Sequence, residues 1–289
     1  MIYDSVITDQ PHPVAHLPRL HCAVFPVPDA PTRRGGGVAF NDSLFPSLPW
    51  NGFTLAWFTG DTEPQLGVFN DRELTSGIGV SLVVAIAVTI ASLVLATTNA
   101  FLFERFDFRF KGFCYVLLLL PLVIPGVILG VSILLMSSTI ANGIEDTIGW
   151  DIEWMRPGLV LVVLGQFAFI TTICTLVIAA RLRKFDISLE EAALNLGATK
   201  AEAVFTITLP FLRPALIGAA IIAFLMSFEN FNTTLMLVGS DAPLTIAMFD
   251  RLREGSTPVI NAVSLLLMVA SGLLAMASIW FSSKSSQVE

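Results

Sequence analysis

Five long apolar runs constrain this chain more than any other feature of its sequence. They cover residues 76–103, 112–136, 158–180, 211–238 and 259–281. A helix needs about 20 consecutive, mainly apolar residues to cross the hydrocarbon core of a bilayer. Only 13% of the residues are charged, whereas roughly a quarter are charged in a soluble domain. The sequence therefore predicts an all-α protein, a polytopic transmembrane helical bundle with five spans.

The loops between the runs differ in charge, and this difference predicts the orientation of the chain. Loops 104–111 and 181–186 are rich in Lys and Arg and follow the first and third runs. Short loops of this kind stay on the cytoplasmic side of the membrane. Loop 137–157 is acidic and is expected outside, together with an extracytoplasmic segment over 39–75. The tail 283–289 is then expected in the cytoplasm.

Residues 1–38 break this pattern, because they hold six prolines and no apolar run. We interpret them as an irregular, proline-rich tail that lacks the basic start and the apolar core of a secretory signal. All three histidines of the chain, His12, His16 and His21, lie there. A segment broken by prolines offers no scaffold to fix ligand geometry, so no metal site is expected.

A short charged segment separates the third and fourth runs and predicts a helix, a sharp turn and a second helix. Ser188 and Glu191 have the S-x-x-E spacing of a capping box, and Thr199 and Glu202 repeat it in the form T-x-x-E. Gly197 stands after the first helix, where a left-handed cap favours glycine. Residues at helical spacing form one apolar stripe along the first helix, which consists of Leu189, Ala192, Ala193 and Leu196.

Two interpretations of this helix pair stay open on physical grounds. The apolar stripe could rest on the chain's own spans, as in the ordinary packing of a linker. It could instead insert into a groove of a separate protein, because helix-in-groove recognition uses the same pattern. Either interpretation places the pair in the cytoplasm, and the second helix is expected to end at Pro210.

The order of residues in this segment resembles the cytoplasmic loop of the permease subunits of bacterial ABC importers. The resemblance rests on E-A-A at 191–193, G-A at 197–198 and I-T-L-P at 207–210. Segments 40–57 and 227–231 are similar to the spermidine/putrescine group of that family. The spacing of the loop motif makes it more specific than a short glycine motif would be.

The resemblance implies a transmembrane helical bundle of the ABC importer permease type over 76–282, with a cytoplasmic coupling loop over 182–210. In that family the coupling helix lies in a cleft of the ATP-hydrolysing subunit. The residues implied to dock there are Ser188, Leu189, Glu190, Glu191, Ala192, Ala193, Leu196, Gly197 and Ala198. The implied partners are an ATP-binding subunit, a second permease subunit and an extracytoplasmic substrate-binding protein. The implied location is the inner membrane of a bacterial cell, in contact with lipid.

Two features depart from the family pattern. Members of the group usually have six spans, whereas five are found here, and the expected first span would precede Phe40. We therefore hypothesise that residues 1–38 derive from a wrong start or a shifted reading frame. In addition, Glu229 and Asn230 stand where the group has two acids, which puts a dication substrate in doubt.

Polar residues within the apolar runs are candidates for a substrate path. An ionised side chain inside a span costs roughly 2.5–3.5 kcal/mol, and Glu229 lies about midway along the fourth run. It is expected to meet a cationic substrate, the alternative being a hydrogen-bonded glutamate that holds spans together. Asn230 and Asn232 surround it, and Gln166 of the third run either lines the same path or joins helices. Pro121 and Pro125 are expected to kink the second run.

The motifs that are missing from the sequence narrow the function further. No G-x-x-x-x-G-K-[ST] loop and no catalytic constellation occurs, so we expect no enzyme activity, no cofactor and ATP hydrolysis in a partner chain. No basic tract with interleaved aromatics occurs, so no nucleic acid is expected. An ABC permease for polyamines is the leading hypothesis. An ion-driven carrier, a membrane enzyme or structural subunit, and an ABC permease for iron, thiamine or another small solute are the alternatives.

Overall fold

The computed structural model describes residues 37–45, 50–62, 65–255 and 258–285. The proline-rich tail, up to residue 36, and the last four residues therefore lie outside the described part of the chain. Within the described ranges the chain is helical, and one isolated bridge, between Asn41 and Phe53, is its only β-type pairing. The prediction of an all-α protein is confirmed.

The fold consists of α-helices that are joined by short connections. They are α1 (Ala56–Thr59), α2 (Arg72–Arg105), α3 (Lys111–Val123), α4 (Gly126–Ile148), α5 (Leu159–Leu182), α6 (Ser188–Asn195), α7 (Lys200–Ala203), α8 (Leu209–Phe228), α9 (Thr234–Leu237), α10 (Leu244–Glu254) and α11 (Pro258–Ser285). A π-helical turn, Val204–Thr208, joins α7 to α8. In the described ranges, five helices are long and apolar enough to cross a membrane: α2, α4, α5, the continuous helix from α7 to α8, and α11.

The second apolar run forms two helices instead of one span over 112–136. Helix α3 ends at Val123, and α4 starts after Pro125 and continues to Ile148. Pro125 lacks an N–H group and disfavours helical geometry in the residue before it, and Ile124 accordingly has ψ 129°. Pro121 stays inside α3. Much of the predicted outer loop 137–157 is therefore the last part of α4.

The fourth apolar run also differs from the prediction of one span over 211–238. Lys200–Phe228 forms one helix of 29 residues, which runs straight through Pro210 rather than ending there. The helix stops at Phe228, and an irregular stretch precedes α9. The Asn230 side chain accepts a hydrogen bond from the Thr234 backbone N–H at 3.3 Å. Asn and Thr side chains compete with helical hydrogen bonds in this way, which explains the break.

Helix α5 forms the centre of the bundle, because it packs against both α2 and α8. Small residues on those two neighbours, among them Ala96, Ala100, Ala219 and Ala223, are fully buried at the contact. Small side chains let transmembrane helices approach closely, so that dispersion contacts along the backbone stabilise the packing. The hydrophobic cluster around α5 is therefore the main core of the chain.

The segment before α2 packs at the end of the bundle where α2 begins. The Trp57 indole N–H donates to the Asn41 carbonyl at 2.8 Å, and Phe40 stacks on Phe58 with 5.3 Å between the ring centroids. Trp57 and Phe58 join a second hydrophobic cluster with residues of α10 and α11. Asp71 caps α2 and forms an ion pair with Arg251 of α10. These contacts fix α10 and α11 beside the start of α2.

Candidate functional site

The two basic loops lie at the same end of the bundle, as their charges predicted. Arg105, the last residue of α2, forms an ion pair with Glu190 of α6 at 3.0 Å. Arg183, just after α5, forms an ion pair with Glu104 of α2 at 2.8 Å. The ends of α2 and α5 therefore meet the helix pair α6–α7 on one side of the membrane-spanning core.

A glycine turn separates α6 from α7. Gly197 has φ +96°, a conformation that residues with a Cβ rarely adopt. The Ala198 N–H donates to the Ala193 carbonyl at 3.0 Å, and the Gly197 N–H donates to the Leu194 carbonyl at 3.0 Å. This pair of bonds is a Schellman motif. The sharp turn predicted at Gly197 is therefore present.

The two predicted capping boxes have different outcomes. The box at Ser188 is wrong, because α6 has no such side-chain cap; the Asp186 carboxylate instead accepts from the Ser188 N–H at 3.0 Å. This backbone hydrogen bond lowers the pKa of Asp186 below its ordinary value. The second box is present, because Glu202 accepts from the Thr199 N–H at 2.7 Å while Thr199 Oγ1 accepts from the Glu202 N–H. The same bond from Thr199 lowers the pKa of Glu202.

The apolar stripe of α6 faces away from the chain's own spans. Leu189 is 50% exposed and Leu196 is 90% exposed. Ala192 is also exposed, whereas Ala193 is half-buried. Leu189 and Leu196 form the surface that we call the apolar tip. Three other large apolar side chains of this region, Ile187, Leu194 and Phe205, are also exposed.

Among the residues implied to dock, Glu190 points inward. One of its carboxylate oxygens, Oε1, accepts from Arg105 and from Thr208 Oγ1. Ser188 and Glu191, in contrast, are exposed beside the apolar tip. Glu190 lies about 100° around the helix from Leu189. This angle separates Glu190 from the apolar stripe, and helical spacing in the sequence already indicates the separation.

Two of the predicted substrate-path residues belong to one buried hydrogen-bond network. Gln166 is 1% exposed, and its amide nitrogen donates to Thr234 Oγ1 at 2.9 Å. Ser227 Oγ donates to the Gln166 amide oxygen, and the Thr234 hydroxyl donates to Asn230 Oδ1 at 3.0 Å. Gln166 therefore ties α5 to the break between α8 and α9.

Glu229 and Asn232 lie on either side of this network. Glu229 is the exposed C-terminal cap of α8, and its carboxylate accepts from Ser271 Oγ of α11 at 2.7 Å. Asn232 is exposed next to Gly126, where α3 and α4 are interrupted. The Thr233 hydroxyl donates to the Gly126 carbonyl at 3.3 Å. The breaks in the second and fourth runs therefore meet each other.

Several residues of these arrangements could not be singled out from the sequence. Arg105 was one of many loop cations, and Thr208, Ser227 and Ser271 looked like ordinary small polar residues within apolar runs. Their partners lie far away along the chain, so no local spacing indicates them. No group of three metal-ligating side chains is close together in the described ranges.

Comparisons with known proteins identify a family of membrane transport components. Residues 89–287 match the family model of the binding-protein-dependent transport system inner membrane component. The putrescine transport system permease protein PotI of Escherichia coli is 33% identical over 240 residues, covering 82% of this chain and 79% of that protein. The spermidine/putrescine transport system permease protein PotC of the same species is 24% identical, covering 83% of each chain. The molybdenum transport system permease protein ModB of Haemophilus influenzae is 29% identical over 217 residues, covering 72% of this chain and 93% of that protein.

Two solved structures share the fold. A bacterial ABC transporter involved in the import of the acidic polysaccharide alginate has a TM-score of 0.65 at 16% identity, covering 86% of this chain and 87% of that chain. An amino acid ABC transporter with histidines has a TM-score of 0.51 at 18% identity, covering 73% and 94%. At these identities the likeness concerns the arrangement of helices alone.

Proposed function

The chain belongs to the inner membrane components of binding-protein-dependent transport systems, and from this premise we propose that it carries polyamines, putrescine above all, as the permease subunit of an ABC importer. The similarity to the putrescine permease of Escherichia coli over most of both chains is the observation that carries the substrate class. It agrees with the resemblance to the spermidine/putrescine group at 40–57 and 227–231.

The end of α8 supports a cationic substrate. A helix C-terminus leaves backbone carbonyls without intrahelical partners and carries about half a negative charge. Glu229 adds a carboxylate at that point and is exposed. The exposed Asn232 side chain adds an amide oxygen near the same break. This combination attracts an ammonium group and repels an oxyanion, which favours putrescine over molybdate.

The apolar tip supports docking to an ATP-binding subunit. Helix-in-groove recognition requires large apolar side chains at helical spacing that the free protein leaves exposed, and Leu189 and Leu196 meet this requirement. Full burial of one such side chain contributes about 1.5–3 kcal/mol. The sequence has no phosphate-binding loop of its own. ATP hydrolysis in the docked subunit would then supply the energy for transport, with an extracytoplasmic binding protein and a second permease subunit completing the importer.

A matched pair of substitutions tests the docking. Leu196→Asp places a charge in the apolar tip, whereas Leu252→Asp does the same on α10, where Leu252 is 52% exposed. Helix α10 lies beside the start of α2, at the end away from α6. We expect Leu196→Asp to abolish co-purification of the ATP-binding subunit and Leu252→Asp to leave it unchanged. If both variants co-purified the ATP-binding subunit as well as the wild type does, α6 would be a linker and not a docking element.

A second experiment tests the substrate class. The complete importer is reconstituted in lipid vesicles, and ATP hydrolysis is measured with putrescine or molybdate and a binding protein loaded with the same solute. We expect stimulation by putrescine. Stimulation by molybdate alone would overturn the polyamine assignment but leave the permease assignment intact.

A further inference from the structure

The Glu190 carboxylate is the point where three separate elements of the chain meet. Glu190 belongs to α6, Arg105 ends α2, and Thr208 ends the π-helical turn that leads into α8. Arg105 and Glu190 have side chains that are only 15% and 18% exposed, and Thr208 is fully buried. An ion pair shielded from water in this way interacts more strongly than one on the surface.

Aromatic rings extend this contact to the rest of the core. The Arg105 guanidinium lies 5.2 Å from the centre of the Phe185 ring. Phe185 meets Phe211 of α8 edge to face, with 5.2 Å between the ring centroids. Arg181 of α5 lies 4.1 Å from the centre of the Phe211 ring. The Glu190 carboxylate is thus connected through packed side chains to α2, α5 and α8.

The π-helical turn is the irregular part of this arrangement. A π-turn in an α-helix holds one extra residue per turn, and such turns occur frequently at functional sites. Thr208 is held at the end of this turn by Glu190. A cleft of about 370 Å³ between the end of α2 and the helix pair, lined by Arg105, Glu190 and Lys200 among others, leaves room for α6 and α7 to shift.

From these contacts we infer that Glu190 is a positioning residue that transmits displacement of α6 to α2 and to the π-turn of α8. The inference rests on the proposed docking of α6, and it separates two roles on one short helix. The apolar tip holds the ATP-binding subunit, whereas Glu190, on another face, pulls on the spans. Coupling of this kind requires a continuous physical connection between elements, and the shared carboxylate oxygen supplies it.

The ion pair between Glu104 and Arg183 offers a matched control. It lies at the same end of the bundle and joins α2 to the residue after α5 at 2.8 Å. Neither residue belongs to α6 or to the π-turn. Glu104→Gln therefore removes an ion pair of similar length, although one with a more exposed arginine, without breaking the connection from α6.

The test uses the complete importer in lipid vesicles and compares Glu190→Gln, Arg105→Gln, the double variant and Glu104→Gln. Complex assembly, ATP hydrolysis and putrescine uptake are measured for each. Glu190→Gln and Arg105→Gln are expected to retain assembly and ATP hydrolysis but to lower uptake per ATP by about 2- to 30-fold. The double variant is expected to be no worse than either single variant, because both remove the same connection. Glu104→Gln is expected to keep the wild-type ratio of putrescine uptake to ATP hydrolysis.

Three results would overturn the inference. One is a fall in assembly and ATP hydrolysis together with uptake, which leaves the ratio unchanged and indicates a structural role only. Another is an equal loss of uptake per ATP in Glu104→Gln. The third is additive loss in the double variant. Failure of the proposed function is distinguishable, because wild-type uptake would then not depend on ATP.

Discussion

Replacing Gly197 tests whether the shape of the helix pair controls docking. Gly197 has φ +96°, and a Cβ at this position would meet nothing within 4 Å. The cost of Gly197→Ala is therefore backbone strain alone, about 1–2 kcal/mol for a left-handed conformation. The free loop can escape this strain by opening the turn, so the cost appears when the loop docks. An energy of about 1–2 kcal/mol corresponds to a roughly 5- to 30-fold weaker affinity.

The assay is titration of the permease, in lipid nanodiscs, with the ATP-binding subunit. Gly197→Asn is expected to lose less affinity than Gly197→Ala, because Asn visits the left-handed region more readily. Gly218→Ala is the control, since Gly218 lies inside α8 and its added Cβ also meets nothing within 4 Å. An unchanged affinity of Gly197→Ala, or an equal loss in Gly218→Ala, would refute the reasoning.

Three further predictions concern polar groups. Glu229→Gln is expected to raise the putrescine concentration for half-maximal uptake while assembly stays unchanged; an unaltered concentration dependence would remove Glu229 from the path. Gln166→Leu leaves Thr234 and Ser227 without their buried partner, so the thermal midpoint in detergent is expected to fall, consistent with about 1–3 kcal/mol; an unchanged midpoint would contradict this. The lowered pKa of Glu202 means that its cap is complete above the ordinary carboxylate pKa, near 4, and is lost as the pH falls through the lower folded value. Protection of the α7 backbone amides from hydrogen exchange should therefore decline below about pH 4, and Glu202→Gln should remove that decline.

The long helices could be predicted from the sequence because hydropathy and length act locally. Helices α2, α5 and α11 lie where apolar runs of sufficient length predicted them. The turn at Gly197 and the box at Thr199 were also predictable, because each depends on residues a few positions apart. The prediction from neighbouring residues was wrong at Ser188, because Asp186, two residues earlier, accepts the hydrogen bond from the Ser188 N–H that the predicted box required.

The interrupted helices could not be predicted from apolar content. Pro125 marked a kink in the sequence, but whether a proline bends a helix or ends it depends on the packing around it. The break after Phe228 depends on Asn230 and on contacts to Gln166, which lies on another helix. The offset of Glu190 from the apolar stripe could be predicted from helical spacing, but its partner Arg105 could not, because it is 85 residues away along the chain.

Uptake of labelled putrescine by the complete importer in lipid vesicles tests the central claim most directly. The account predicts uptake that requires both ATP and the binding protein and that is lost in Leu196→Asp, whose exposed apolar side chain lies in the apolar tip. Uptake that follows an ion gradient and continues without ATP, with the Leu196→Asp variant as active as the wild type, would contradict it.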